Sequence, residues 1–158
     1  MDAVIMMLRG YRDSDRALLT GYWLPGELVG RPVADRPPLA EPTTVTPPAD
    51  PTTEMCVVPG TAFVRFTDLD WVNRRARLET GLRPEAVDDG EVLLKSAVSH
   101  GFRVLNLHRV YGWVTPACGV PVAALRDAGF QLEATVPDAI WLDGRPVERQ
   151  LWGAVRHD

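Results

Sequence analysis

The stretch Leu82 to Phe102, LRPEAVDDGEVLLKSAVSHGF, decides the architecture. It reads as the end of a strand, a tight loop and then a helix over about Asp88 to Leu105. Val87, Leu93, Leu94, Ala97, Val98 and Phe102 recur at near-helical spacing, which gives that helix one buried face. A helix N-terminus behind a tight loop is a natural seat for a phosphate, because its free N–H groups and its dipole attract anions. Yet the loop carries Glu85, Asp88, Asp89 and Glu91. A cradle lined with carboxylates is a contradiction the rest of the chain has to resolve.

Upstream, AVIMMLR (Ala3 to Arg9) reads as a strand and Ser14 to Trp23 as a short helix capped by Ser14 or Asp15. From Pro25 to Thr53 the chain is dense in proline and threonine, which removes backbone donors and predicts a long loop with no helix or sheet ladder. EMCVVPGTAFVRFTDLDW predicts a hairpin, Met55 to Val58 and Thr61 to Leu69 about a turn at Pro59 and Gly60. RRARLETGL is the next strand. Downstream, RVYGWVT is a strand, Gly119 to Ala128 a helix stopped by Gly129, and FQLEATVP and RQLWGAV are closing strands on either side of LDGRP. No internal repeat is evident. This order gives a mixed α/β sheet with helices on both faces.

The 158 residues suit a single domain, 1–158, large enough to bury roughly two-thirds of its unfolded surface. The formal charge of −4 argues against a general nucleic-acid binder, which needs a basic footprint. Arg74, Arg75 and Arg77 are too local to supply one. No run approaches the ~18 apolar residues of a membrane span, and MDAVIMMLRG is too short for a secretory signal, so a cytoplasmic protein is expected. Cys56 and Cys118 lack CxxC or zinc-finger spacing, so free thiols and no metal site are expected. Lys95 is the only lysine, a bias typical of a GC-rich bacterial genome.

Four phrases, DLDWVNRRARLETGL, GFRVLNLHRVYGWV, LRDAGF and WLDGRPVERQLWG, together spanning about Asp68 to Gly153, resemble in order and spacing the GCN5-related N-acetyltransferases, in particular the branch that acetylates ribosomal-protein N-termini. The resemblance implies a mixed, mostly antiparallel central sheet whose fourth and fifth strands splay into a cleft, here with a shortened, proline-rich N-terminal region. The family holds the pyrophosphate of acyl-CoA with an arginine or glutamine, two residues, glycine, one residue and glycine or alanine. On this sequence the motif falls on EAVDDG. The basic position becomes Glu85, the first glycine becomes Asp88, and Gly90 alone matches. A carboxylate ~5 Å from a phosphate charge opposes it by roughly 3 kcal/mol at an effective dielectric of 20 and by about 1 kcal/mol when well solvated. The asparagine and the thiolate-protonating tyrosine found in many members fall on Cys118 and Leu125.

Within the implied cleft, Glu79, Tyr111 and Cys118 are the candidate chemical groups. Glu79 shares a face of its strand with Arg77 and Gly81, where it serves either as an acid/base or as the partner of an arginine. Cys118 precedes a helix start, which favours thiolate, or is a small buried residue. His108 is read as structural, His100 as lying on the solvent side of its helix, and His157 as tail. Asp68 and Asp70 are read as a turn rather than a metal site. These departures give a leading expectation of a protein that has left standard acetyl-CoA use for a non-acetylating step, a cyclisation, elimination or decarboxylation, or a binding role on a small molecule in bacterial secondary metabolism. In that reading no cofactor is needed. The alternatives are an N-acyltransferase using acyl-CoA (with Gly90 as the matching cofactor residue) or an acyl carrier protein, and an inactive interaction partner. A small-molecule substrate is expected, with a homodimer among the arrangements open to it.

Overall fold

The computed structural model describes residues 6–21, 23–24, 26–32 and 45–157. The strands are β1 (Arg9–Gly10), β2 (Glu54–Val58), β3 (Ala62–Asp70), β4 (Arg75–Leu82), β5 (Arg109–Val114), β6 (Gln131–Leu142) and β7 (Arg145–Val155). They form one sheet of seven strands in the order β1-β2-β3-β4-β5-β7-β6. Every neighbouring pair is antiparallel except β4 with β5. The long helix α1 (Gly90–Arg103) and the short α2 (Val122–Asp127) pack against each other and the sheet.

Alternation along the strands sorts side chains to two faces. On β3, Val64 and Phe66 join Leu78, Leu93, Leu94, Ala97 and Val110 in the larger core under α1. Phe63 points the other way and packs with Leu18, Leu19, Trp23, Met55 and Val57. Leu18 and Leu19 belong to a 3-10 helix, Asp13–Leu19, so helical structure covers both faces. The edge-to-face contact of Trp23 with Phe63, centroids 5.0 Å apart, anchors the N-terminal segment to that second face.

Several boundaries differ from the sequence reading. The 3-10 helix stops at Leu19 because Thr20 is extended. Its start is fixed by Asp15, whose carboxylate accepts the backbone N–H of Arg12 at 2.8 Å and pairs with Arg9. Residues 3–5 of the predicted first strand lie outside the described residues; of its described residues only Arg9 pairs with β2, and Gly10 just beyond it continues the pairing. The last helix starts at Val122 rather than Gly119, because Gly119 takes a left-handed φ of 73° and Pro121 follows it. The closing hairpin is longer than predicted. Its two-residue turn, Asp143 and Gly144 at φ 51° and 78°, has the conformation a tight hairpin needs.

Candidate active site

The parallel pair β4 and β5 is in register only over Arg75 with Arg109, Ala76 with Val110 and Arg77 with Tyr111. Past that point the two strands part, although β4 runs on to Leu82 and β5 to Val114. The expected splay is therefore present. Main-chain groups on both inner edges need partners there, since buried N–H and C=O groups are seldom left unpaired.

The partners come from the proline-rich loop. Glu27 bridges Trp113 on β5 and Gly30 bridges Gly81 on β4, both in parallel sense. The N–H of Leu28 donates to the Trp113 carbonyl at 2.5 Å, and the N–H of Gly30 to the Thr80 carbonyl at 3.0 Å. In return the N–H of Thr80 donates to the Glu27 carbonyl at 3.2 Å and that of Leu82 to the Gly30 carbonyl at 3.3 Å. The reading of Pro25 to Thr53 as a loop without a ladder did not foresee these two isolated bridges at Glu27 and Gly30; residues 25 and 33–44 of that loop lie outside the described residues.

On the face turned away from α1, the same strands carry a charged cluster. Glu79 is buried, with Oε1 at 3.2 Å from an Arg77 nitrogen and Oε2 at 3.5 Å from an Arg65 nitrogen. Arg77 also donates from Nε to the Thr67 hydroxyl at 3.1 Å. The second carboxylate, Glu27, is 2% exposed. Its Oε1 accepts from the Thr115 hydroxyl at 2.7 Å and from Arg149 Nε at 3.1 Å, while Oε2 is buried with no hydrogen-bond partner among the described residues. Burial pushes the Glu27 carboxyl above the usual range, against the pull of Arg149 and Thr115. Arg149 in turn lies over the Trp113 ring, 5.1 Å from its centroid. Gly26 joins the two clusters: a Cβ on it would stand 3.6 Å from Arg77 and Glu79 and 3.9 Å from Arg149.

Of the predicted groups, Glu79 and Tyr111 fall on this shared face, for Tyr111 pairs with Arg77 two residues before Glu79. Tyr111 is half-buried, with the Arg109 guanidinium 5.5 Å from its ring. Cys118 is partly exposed in a 3-10 turn, Pro116–Cys118, beyond the end of β5. With α2 beginning at Val122, Cys118 is not at a helix N-terminus. Leu125 is fully buried and has no acid to give. His100, expected on the solvent side, stacks instead on Phe66 at 5.9 Å and stands 3.6 Å from the Cys56 sulfur. Asp70 accepts the N–H groups of Val72 and Asn73, the turn role read from the sequence. Sequence reasoning missed Glu27, Arg149, Arg65 and Thr115. The one available signal was GELVG, Gly26 to Gly30, where apolar residues sit between glycines inside a proline-rich run.

The loop before α1 is not a glycine turn but a 3-10 segment, Pro84–Asp89, with Glu85, Asp88 and Asp89 exposed. Gly90 opens α1 and is buried; a Cβ there would meet Leu82 at 3.4 Å, so it packs the helix start onto the end of β4. Among the described residues no cluster could hold a metal ion, and no helix is long and apolar enough to cross a membrane. A cavity of about 620 Å³ opens elsewhere, between Phe102, Arg126, Phe130, Leu132, Trp152 and Val155, and none of the cleft-face residues lines it.

No protein-family model and no curated protein sequence matches the chain. Solved structures do. A chimera of the spermidine N-acetyltransferase SpeG from Vibrio cholerae with hSSAT superposes with a TM-score of 0.62 at 19% identity, over 67% of this chain and 68% of that one. A single-residue SpeG mutant from Vibrio cholerae gives 0.62 at 20% identity, over 67% of each chain. The dodecameric Vibrio cholerae spermidine N-acetyltransferase gives 0.62 at 19%, over 67% of this chain and 66% of that one. The fold is that of the GCN5-related N-acetyltransferases. These neighbours correct the leading expectation of a non-acetylating step or binding role, and speak against the inactive-partner alternative, since each of them is a spermidine N-acetyltransferase. The physical ground for that expectation also weakens. Glu85, Asp88 and Asp89 are exposed, so the solvated figure of about 1 kcal/mol per carboxylate applies rather than the larger one.

Proposed function

We propose that the chain is an N-acyltransferase that moves an acyl group from an acyl-CoA or acyl carrier protein thioester to the amine of a small molecule. The observation that carries this is the parting of β4 and β5 beyond Arg77 and Tyr111, with Glu79 on one wall and Tyr111 on the other. Its support from outside the chain is the shared fold.

The chemistry sets what the walls must do. An amine is protonated near neutral pH and has to lose that proton before its lone pair attacks the thioester carbonyl. The C–N bond then forms, the nitrogen gives up a second proton, the C–S bond breaks, and the thiolate takes one proton as it leaves, so that one proton is released in all. In this reading Glu79, held in place by Arg65 and Arg77, receives the amine proton. Tyr111 on the facing strand supplies a proton to the thiolate, a task Leu125 cannot perform. The backbone N–H groups at the start of α1, with Gly90 first, face the phosphates of the donor. Exposed apolar residues on β6, Leu132, Val136 and Trp141, suit self-association, which we include in the proposal. The soluble composition fits a cytoplasmic enzyme.

The test is thiol release from acetyl-CoA in the presence of a panel of small amines, polyamines and amino acids among them, repeated with an acyl carrier protein as donor. Release that depends on one amine class is expected. Absence of amine-dependent release from every donor refutes the reading.

A further inference from the structure

The most unusual feature of this molecule is what fills its cleft. The segment Glu27 to Gly30 lies between β4 and β5 and is hydrogen-bonded to both walls through four main-chain bonds. The Thr80 hydroxyl adds a fifth, donating to the Leu28 carbonyl at 2.6 Å. The side chain of Leu28 drops through the gap into the core under α1 and is fully buried.

The surrounding sequence is cut to fit this segment. A Cβ on Gly112 would stand 2.8 Å from the Leu78 carbonyl oxygen and 2.9 Å from Leu28 Cβ, so only glycine at that point of β5 lets Leu28 seat. A Cβ on Gly30 would run into the Thr80 carbonyl oxygen, so the same holds on the β4 side. Gly26, at φ 63°, makes the turn into the gap. Once seated, the segment is tied to the far wall by the Glu27 carboxylate on Thr115 and Arg149.

It is nevertheless short. Its two bridges are isolated pairs, not a continuing ladder, and a strand of this length has little stability of its own. What it satisfies is a row of main-chain donors and acceptors on two parted strands. A ligand that replaces it has to be extended and has to carry peptide-like amides, as in the addition of a peptide strand to an open sheet edge. The arm shared by acyl-CoA and acyl carrier proteins, pantetheine, has that chemistry: it is linear, amide-bearing and ends in the thiol that holds the acyl group.

We infer that the gap between β4 and β5 is a strand-shaped binding site already filled by the chain's own Glu27–Gly30 segment, and that the acyl donor takes the site by displacing that segment. The inference rests on the acyl-transfer reading and deepens it. Donor binding then carries a built-in penalty: the observed affinity is the intrinsic one multiplied by the fraction of molecules with the segment out. An acceptor or partner that drew the segment away would switch the site on.

The test combines hydrogen exchange with two variants. In the wild-type protein the Leu28 and Gly30 amides are protected without donor and lose protection at saturating acetyl-CoA, while Thr80 and Leu82 stay protected by the incoming arm. Gly30→Ala, which cannot seat, and Leu28→Ala, which seats poorly, bind acetyl-CoA at least ~10-fold more tightly than wild type in calorimetry, as expected if fewer than about one molecule in ten is open at rest. If Gly30→Ala does not fold, Leu28→Ala and the wild-type exchange data decide alone. Acetyl-CoA binding with Leu28 and Gly30 still protected overturns the inference and leaves acyl transfer standing. So does a segment released in the variants with no gain in affinity. Failure of acetyl-CoA and of an acylated carrier protein to bind any of the three proteins, with the segment shown free in the variants, removes the acyl-transfer reading and the inference together.

Discussion

Replacing Glu85 by arginine and Asp88 by glycine turns the approach to α1 from acidic toward basic, and the gain in donor affinity can be worked out beforehand. Both side chains are exposed, so water sets the dielectric. One unit charge ~5 Å from a phosphate charge then contributes about 0.8 kcal/mol. Glu85→Arg changes the local charge by two units, about 1.7 kcal/mol, and Asp88→Gly removes one more repulsion. The sum is about 2.5 kcal/mol, or roughly 60-fold in affinity at low salt. At physiological ionic strength the Debye length of ~8 Å about halves each contribution, leaving a gain of roughly tenfold. Calorimetric titration of acetyl-CoA into the double variant and the parent, in low salt and at physiological salt, measures both figures. The salt dependence is the discriminating part, because a gain from reshaped backbone at Asp88→Gly would not fade with ionic strength. A change below twofold at low salt, or a gain of the same size in both buffers, refutes the placement of the phosphates at this end of α1.

Three further outcomes are expected. Glu79→Gln lowers turnover by at least ~100-fold if Glu79 takes the amine proton, and it costs about 1–3 kcal/mol in urea unfolding, because Arg65 and Arg77 lose a buried partner yet keep some access to water; full turnover on the true substrate would leave Glu79 as the arginines' partner alone. Glu27→Gln stabilises the protein relative to wild type more at pH 7 than at pH 4, because a folded carboxyl held above its usual range contributes stability below the unfolded value of about 4.5 and loses it as pH rises through the folded one; a difference that does not change with pH contradicts the burial argument. With its thiol pushed up to about 11 by burial, Cys56 resists alkylation at pH 8 until the protein is unfolded, while the partly exposed Cys118 reacts first in peptide mapping; equal rates would show that the second strand opens readily.

Most of the fold was legible because its signals are local. The period of Leu93, Leu94, Ala97 and Val98 finds α1, alternation finds β3 and β4, and Gly60 and Gly144 mark the turns they make, at φ 69° and 78°. The errors fall where a tertiary contact overrides a local preference. β6 and β7 run beyond their predicted limits because each extends the other's ladder, across Pro137 and an irregularity between Val136 and Ile140. Proline in the sequence marks the end of a strand, but β6 lies at the sheet edge, where a proline is tolerated, and the pairing resumes beyond it.

The site was only half legible, and for a related reason. Glu79 and Tyr111 sit on regular strands, where spacing alone puts them on a common face. Glu27 has no such frame. Its segment is strand-like only because two strands far away in sequence part at Arg77 and Tyr111 and leave hydrogen-bonding edges to fill. No propensity within GELVG reports that vacancy, and the prolines around it argue for open loop. The acid loop at Glu85 to Asp89 drew attention as the departure from the family's motif, but its charges are exposed and therefore weak. Leu28, a buried leucine between glycines, acts on the cleft itself, because the segment it anchors uses the same main-chain groups that any amide-bearing ligand would need. On the displacement inference, the segment that occupies the gap decides whether the donor can enter, and the charges at its mouth tune how tightly it is then held.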